Sequence, residues 1–497
     1  MKYIFLFITY FLTFPAATAA ISTSDSTALT SQITTAEKLA AVVGFKTVSA
    51  VETSDFKYEE FKKLHVYLAE AFPLAHEQLQ VEVINDYSLL YTWQGQNQEL
   101  KPVLFSAHFD VVPVETGSEG TWLAAPFSGK IKDGYIWGRG TMDDKYRVVA
   151  ILEAVEHLLE IGYTPSRTMI LAFGHDEEVG GYAGAGMISK HLQQQGVQLE
   201  AVFDEGLAIA EGIIPGVKEP LALVGTAAKG NLNLLLTVNG AGGHSSVPPK
   251  DTPIDILSNA LKNLHNAPFE PRLIPTTRET LETLAEKMGG KYKFALRHYG
   301  LFKGKIFKKL SEDRATDALI RTKLVPTVIS GGEKYNVLPR RATAVVNVRI
   351  LNGENEQTVL HHVTKAVNDE RVSIERYGVY TPPSPVTATD TWVYNALKYS
   401  ITETFSDVMV VPALFPGATD SKHYTNLTDN IFRFAPQVVN RESAQLIHNS
   451  NERLSVSVLE NSVSFYKSLI QNTCGLEAQH PFVKQEEGKI PFGVGGE

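Results

Sequence analysis

Seven residues between positions 108 and 448 could together bind metal and move protons: His108, Asp110, Asp143, Glu177, Glu178, Asp204 and His448. Imidazole nitrogen and carboxylate oxygen are donors that zinc and similar divalent ions accept. Two histidines and three ligand carboxylates exceed the places around one tetrahedral ion. They suit two ions about 3.5–4 Å apart that share a carboxylate. The adjacent acids Glu177 and Glu178 can then divide the work, one on a metal and the other taking a proton from a metal-bound water. Each feature alone has a plainer reading. Asp176-Glu177-Glu178 could be a solvated acidic loop, and a lone strand-end histidine is more often a core residue than a ligand. His108 gains weight from Asp110, two residues on and on the same side of a strand, where it can orient the imidazole.

Competing chemistries lack their parts. The sequence has no Gly-x-Ser-x-Gly turn and no His-Glu-x-x-His helix. The glycines at 240–243 are not followed by Gly-Lys-Ser/Thr, so no phosphate loop is implied. Cys474 is the only cysteine and lies outside every candidate site, which excludes an internal disulfide. A net charge of −9 without a long basic run argues against nucleic acid as a partner. Lys303, Lys305, Lys308 and Lys309 are expected to form a solvated helix face.

Strands are needed to present these residues. Val103 to Ala107 and Met169 to Phe173 are apolar runs that end in polar residues, as buried strands do. Ala201 to Phe203 runs into Asp204-Glu205-Gly206. Val81 to Ile84 and Leu89 to Trp93 form a paired-strand pattern around Asn85-Asp86. Helical spacing recurs in Phe61, Leu64, Leu68 and Phe72, and again in Val148, Leu152, Val155 and Leu159. Strands alternating with helices, each delivering polar residues at its C-terminal end, predict an α/β fold with a mostly parallel sheet flanked by helices. The pattern changes near Gly225. Residues 227–379 are expected to form an inserted, smaller α+β domain between two parts of the first, 36–226 and 380–473, with a frayed tail at 474–497.

The N-terminus has Lys2, an apolar stretch from Tyr3 to Phe14, and Ala17-Thr18-Ala19 after Pro15. That is a signal-peptide pattern over 1–20, followed by a Ser/Thr-rich linker at 21–35. The apolar run is shorter than the roughly 20 residues of a membrane span. The expectation is a periplasmic or secreted protein with no membrane partner after cleavage.

Several motifs occur in order. They are Ser106-Ala107-His108-Phe109-Asp110, Gly138-Arg139-Gly140-Thr141-Met142-Asp143-Asp144-Lys145, Asp176-Glu177-Glu178-Val179-Gly180-Gly181, Asp204-Glu205-Gly206, Gly243-His244-Ser245-Ser246, Asn336-Val337-Leu338-Pro339 and His448-Asn449-Ser450-Asn451-Glu452. Together, across Ala36 to Ile470, they resemble the zinc amidohydrolase family of carboxypeptidase S, aminoacylase, carboxypeptidase G and acetylornithine deacetylase. The likeness is greatest to the carboxypeptidase S and N-acyl-amino-acid hydrolase branch.

The resemblance implies two Zn2+ per chain, bridged by Asp143. His108 and Asp204 would complete one site, Glu178 and His448 the other, with Glu205 an alternative to Asp204. Asp110 would orient His108, and Glu177 would be the general base. His244 would be an oxyanion donor, and Asn336 and Arg349 would grip the substrate. A homodimer through the inserted domain is implied as well. The expected substrate is a short peptide or an N-acyl amino acid with a free carboxylate. An aminopeptidase or small deacylase on the same scaffold is the alternative, with a non-catalytic binding protein behind it.

Overall fold

The computed structural model describes residues 33–50, 56–212 and 217–475. The expected signal peptide, most of the expected linker and the tail beyond 475 lie outside the described residues.

The first half of the chain supplies β1 (Gln80–Ile84), β2 (Ser88–Trp93), β3 (Val103–His108), β4 (Lys130–Lys132), β5 (Tyr135–Trp137), β6 (Met169–Gly174), β7 (Ala201–Ala210) and β8 (Leu221–Ala228). Then come β9 (Gly230–Asn239), β10 (Gly243–His244), β11 (Lys323–Gly331), β12 (Val337–Leu338), β13 (Arg341–Ile350) and β14 (Val372–Arg376). The chain finishes with β15 (Met409–Phe415), β16 (Ile431–Val439) and β17 (Arg453–Ser455). Eight strands form the large sheet, in the order β1-β2-β6-β3-β7-β16-β8-β15. Its centre, β6-β3-β7-β16, is parallel, as the apolar runs predict. β2 and the β8–β15 pair run the other way, which makes the sheet mixed.

Alternation along the central strands sorts their side chains into two cores. Val103, Phe105, Met169, Leu171 and Phe173 face the helices Thr35–Gly44, Tyr58–Ala71, Lys145–Glu160 and Val456–Cys474. Leu104, Ile170 and Ala172 face Ala185–Gln194 instead. With both faces covered, β3 and β6 are buried along their whole length. In the β1–β2 turn, Asn85 and Asp86 take φ of 48° and 67°, a left-handed conformation that these two residue types tolerate best after glycine.

The inserted sheet, β11-β13-β9-β14, is entirely antiparallel. On β9, Leu232, Leu234, Leu236 and Val238 pack against the helices Pro253–Asn266 and Glu356–Val367. Asn231, Asn233 and Asn347 bond to one another on the opposite face. Two backbone bonds between Asn231 and Thr381 tie the outgoing and returning chains together.

Two features depart from expectation. β8, Leu221–Ala228, is a buried strand of small residues without period-two contrast, and the sequence gives no sign of it. Residues 275–318 lie within the expected insert, yet the helix Pro275–Met288 packs on the large sheet. Its Leu284 joins Leu221 and Val411, and Thr280 donates to the Pro412 carbonyl at 2.6 Å. The reason is topological: β15 is an edge strand, and a covering helix protects it. Among the described residues, no helix is long and apolar enough to cross a membrane.

Candidate active site

His108 ends β3, fully buried, with its ring fixed from behind. Its Nδ1 lies 3.1 Å from the Asp110 carbonyl and 3.2 Å from Asp110 Oδ1. Both neighbours are acceptors, so Nδ1 carries the proton and the Nε2 lone pair faces the site. The same Asp110 carboxylate accepts the backbone N–H of Glu177 and of Glu178, each at 3.1 Å. These two acids do not continue β6. They sit on a single 3-10 turn, Glu177–Val179, just beyond the end of the strand. Asp176 holds the far side of this turn by accepting from Ala183 and Gly184 at 2.8 and 2.7 Å. Gly181 follows with φ of 69°, and a Cβ there would overlap the Asp420 carboxylate.

Asp143 stands at the centre. Its Oδ1 is 3.1 Å from His108 Nε2, and its Oδ2 is 3.0 Å from His448 Nε2. Glu178 Oε1 lies 3.3 Å from His448 Nε2. Glu205 Oε1 lies 3.7 Å from His108 Nε2. Two groups of potential ligands result, His108–Asp143–Glu205 and Asp143–Glu178–His448, and Asp143 belongs to both.

Asp204, expected beside His108, takes a different place. Neighbouring strand residues point to opposite sides, and on β7 it is Glu205 that reaches the cluster. Asp204 is buried on the other side, accepting the Ser421 amide at 2.7 Å with Arg147 Nη1 at 3.9 Å.

Several supports escaped sequence reading. Asp144 accepts from Arg147 at 2.9 Å and from the His108 amide at 3.3 Å. Arg147 continues to the Ser106 carbonyl and to the Tyr466 hydroxyl, both at 2.7 Å. Glu452 accepts from Gly140, Met142 and Arg139, which fixes the loop that carries Asp143. Asn451 bonds Leu123 and Thr121 and so anchors the His448 loop. Adjacent acids at 143–144 and the terminal glutamate of the His448 motif were the available signals.

The donor set fits divalent metal. Burial pushes the carboxyls of Glu177, Glu178 and Glu205 upward, because acids crowded together away from water resist ionisation. Burial opposes ionisation of Asp143 too, yet hydrogen bonds to His108 and His448 hold its carboxyl below the ordinary range. Hydrogen bonds to Asp143 and Glu178 raise His448 to about 10. The carboxylates thus draw protons onto the imidazoles, a demand for positive charge that divalent cations would meet.

His244, Asn336 and Arg349 are elsewhere in the chain. His244 pairs with Val337 between β10 and β12, and it shares a cavity of about 810 Å³ with Asn336. The backbone N–H of Ser246 donates to His244 Nδ1 at 3.1 Å, which leaves the proton on Nε2. Arg349 lies at the far end of β13, opposite Lys323 and Asn231. Among the described residues, no hydrogen bond or ion pair joins these three to the acidic cluster. Two further histidines near the motifs, His175 and His423, bond Ser88 Oγ at 2.6 Å and the Gly180 carbonyl at 2.9 Å.

Residues 104–472 match the model of peptidase family M20/M25/M40. This chain belongs to that peptidase family. M20 relatives include a probable carboxypeptidase S-like protein of Dictyostelium discoideum, 41% identical, covering 90% of this chain and 87% of its own length. An N-fatty-acyl-amino acid synthase/hydrolase of Xenopus tropicalis is 37% identical over 93% and 91% of the two chains. The M20 family metallo-carboxypeptidase Sso-CP2 of Sulfolobus solfataricus has the same fold, with a TM-score of 0.66 at 18% identity, covering 88% and 98% of the two chains. This M20 chain is a metal-dependent hydrolase.

Proposed function

We propose that the protein is a dizinc hydrolase that cleaves an amide bond beside a free carboxylate, in short peptides or N-acyl amino acids. The observation that supports this most is Asp143, which offers one oxygen to each of two histidines. His108, Asp143 and Glu205 would hold one ion, and Asp143, Glu178 and His448 the other. Zinc ions held there would supply Lewis acidity and lower the pKa of water.

The remaining work falls to the chain's own residues. Burial holds Glu177 above the ordinary carboxylate range, so its ionised form, which cations in the cluster would favour, is a strong proton acceptor. It takes a proton from the attacking water and delivers it to the leaving amine. Arg349 offers a guanidinium fork to the substrate carboxylate. His244, with its proton on Nε2, can donate to the developing oxyanion. Among the described residues no hydrogen bond or ion pair links it to the cluster, so this reading calls for a homodimer, in which a second copy brings its own His244 to the site. The N-terminal segment directs export to the periplasm or medium.

The names of relatives support this substrate class: they are called carboxypeptidase S-like and N-fatty-acyl-amino acid synthase/hydrolase. The test is a panel of N-acyl amino acids, their C-terminal amides and free-amino dipeptides, together with metal analysis. Turnover of the acids but not the amides, with two zinc ions per chain, is expected. Equal turnover of acids and amides would remove the carboxylate from the reading.

A further inference from the structure

One surface lies apart from this chemistry. Residues 290–310 contain seven lysines and arginines and no aspartate or glutamate. The whole chain carries −9, so with +7 here the remainder carries −16. The segment folds as two short helices, Gly290–Arg297 and Tyr299–Leu310, whose only buried residues are Leu296 and Phe307. Lys293 and Lys309 pair with Glu286 and Glu312. Among the described residues, Lys291, Arg297, Lys303, Lys305 and Lys308 form no ion pair.

An ordinary solvated face mixes both signs of charge and keeps large apolar side chains down. This one does neither. Leu301 is 85% exposed, Phe294 57% and Tyr292 40%. Phe294 meets His298 and Phe302 at ring separations of 4.5 and 5.9 Å, which makes an aromatic cap where the two helices join. Lys305 lies over the Phe302 ring. Lysines around protruding aromatic and aliphatic side chains match a bilayer interface, where ammonium groups meet lipid phosphates and apolar groups enter the acyl boundary. Helices of eight and twelve residues can lie on such a surface but cannot span it.

We propose that residues 290–310 dock the protein on an anionic phospholipid surface, with Phe294 and Leu301 inserted and the unpaired lysines on the headgroups. Lys303, Lys305, Lys308 and Lys309 are exposed on a helix as expected, and the proposal adds an occupant for that face. The docking surface does not depend on the reaction proposed above, although a lipid surface is where long-chain acyl substrates would concentrate.

Sedimentation of the full chain with vesicles of phosphatidylcholine and phosphatidylserine, against phosphatidylcholine alone, tests this. Binding is expected only to the anionic vesicles, and it should fall as salt rises. Each lysine near such a surface contributes about fivefold in partition. Combining Lys291→Gln, Lys303→Gln, Lys305→Gln and Lys308→Gln should therefore weaken binding by about a hundredfold or more, and Phe294→Ser with Leu301→Ser should weaken it independently. Both variants should keep native turnover of a soluble substrate, which shows that they fold. Equal partition of native and four-lysine proteins overturns the proposal. So does tighter binding to single-stranded RNA than to vesicles at the same salt.

Discussion

The Asp110 carboxylate accepts the backbone N–H of Glu177 at 3.1 Å, so the residue that orients the His108 imidazole also sets the position of the proposed general base. Its second oxygen does the same for Glu178. One side chain therefore couples β3 to the turn after β6. Asp110→Ala should lower metal affinity and kcat together, each by roughly 10–100-fold, as losses of outer-shell partners do. Zinc titration and steady-state kinetics on the same preparation check it. A fall in only one of the two would show that the coupling is absent.

The neighbours Glu177 and Glu178 should separate in their failures. Glu177→Gln keeps the size and hydrogen-bonding shape of the side chain but cannot take a proton. It is expected to cost about 10²–10⁴ in kcat with full metal content. Glu178→Gln should lower metal content first. Elemental analysis of both variants distinguishes the roles, and metal loss in Glu177→Gln would reverse the assignment.

A second adjacent pair makes a sharper contrast. Glu205→Ala should reduce bound metal with little change in stability. Asp204→Ala takes the 2.7 Å acceptor from the buried Ser421 amide, while Arg147 keeps its closer partner Asp144. It should cost about 1–3 kcal/mol of stability. Urea unfolding alongside metal analysis reads both. Metal loss confined to Asp204→Ala would restore the ligand that sequence reasoning favoured.

Cys474 is fully buried at the end of the last helix, and burial pushes its thiol up to about 12. The native protein should therefore be inert to a thiol reagent at pH 8 and should release one equivalent on denaturation. The unfolded thiol ionises near pH 9 while the folded one does not. Above that pH the native state binds the extra proton, so stability should fall as pH rises. Cys474→Ala should flatten that part of the pH profile. Rapid labelling of the native chain contradicts the burial.

The apolar runs of β3 and β6 were legible because both faces of each strand meet helices. The inserted sheet was legible because one face is apolar and the other is not. The side on which a strand residue lands was harder to read. Alternation says that Asp204 and Glu205 diverge, but only the packing of β7 between β3 and β16 decides which one enters the site. β8 was hidden because small residues buried on both faces leave no periodic contrast. The helix Pro275–Met288 was not predicted, and neither was its attachment to β15, since edge protection is a property of the assembled sheet. Glu452 could be seen as the terminal acid of its motif, but its three contacts lie more than 300 positions away in sequence.

The two imidazoles that flank Asp143 come from opposite ends of the polypeptide, one from β3 and the other from the loop after β16. On the proposed reading, a ribosome must translate past position 448 before the cluster can close. Partial products of synthesis, and fragments clipped before that loop, would then be inactive towards the proposed substrates.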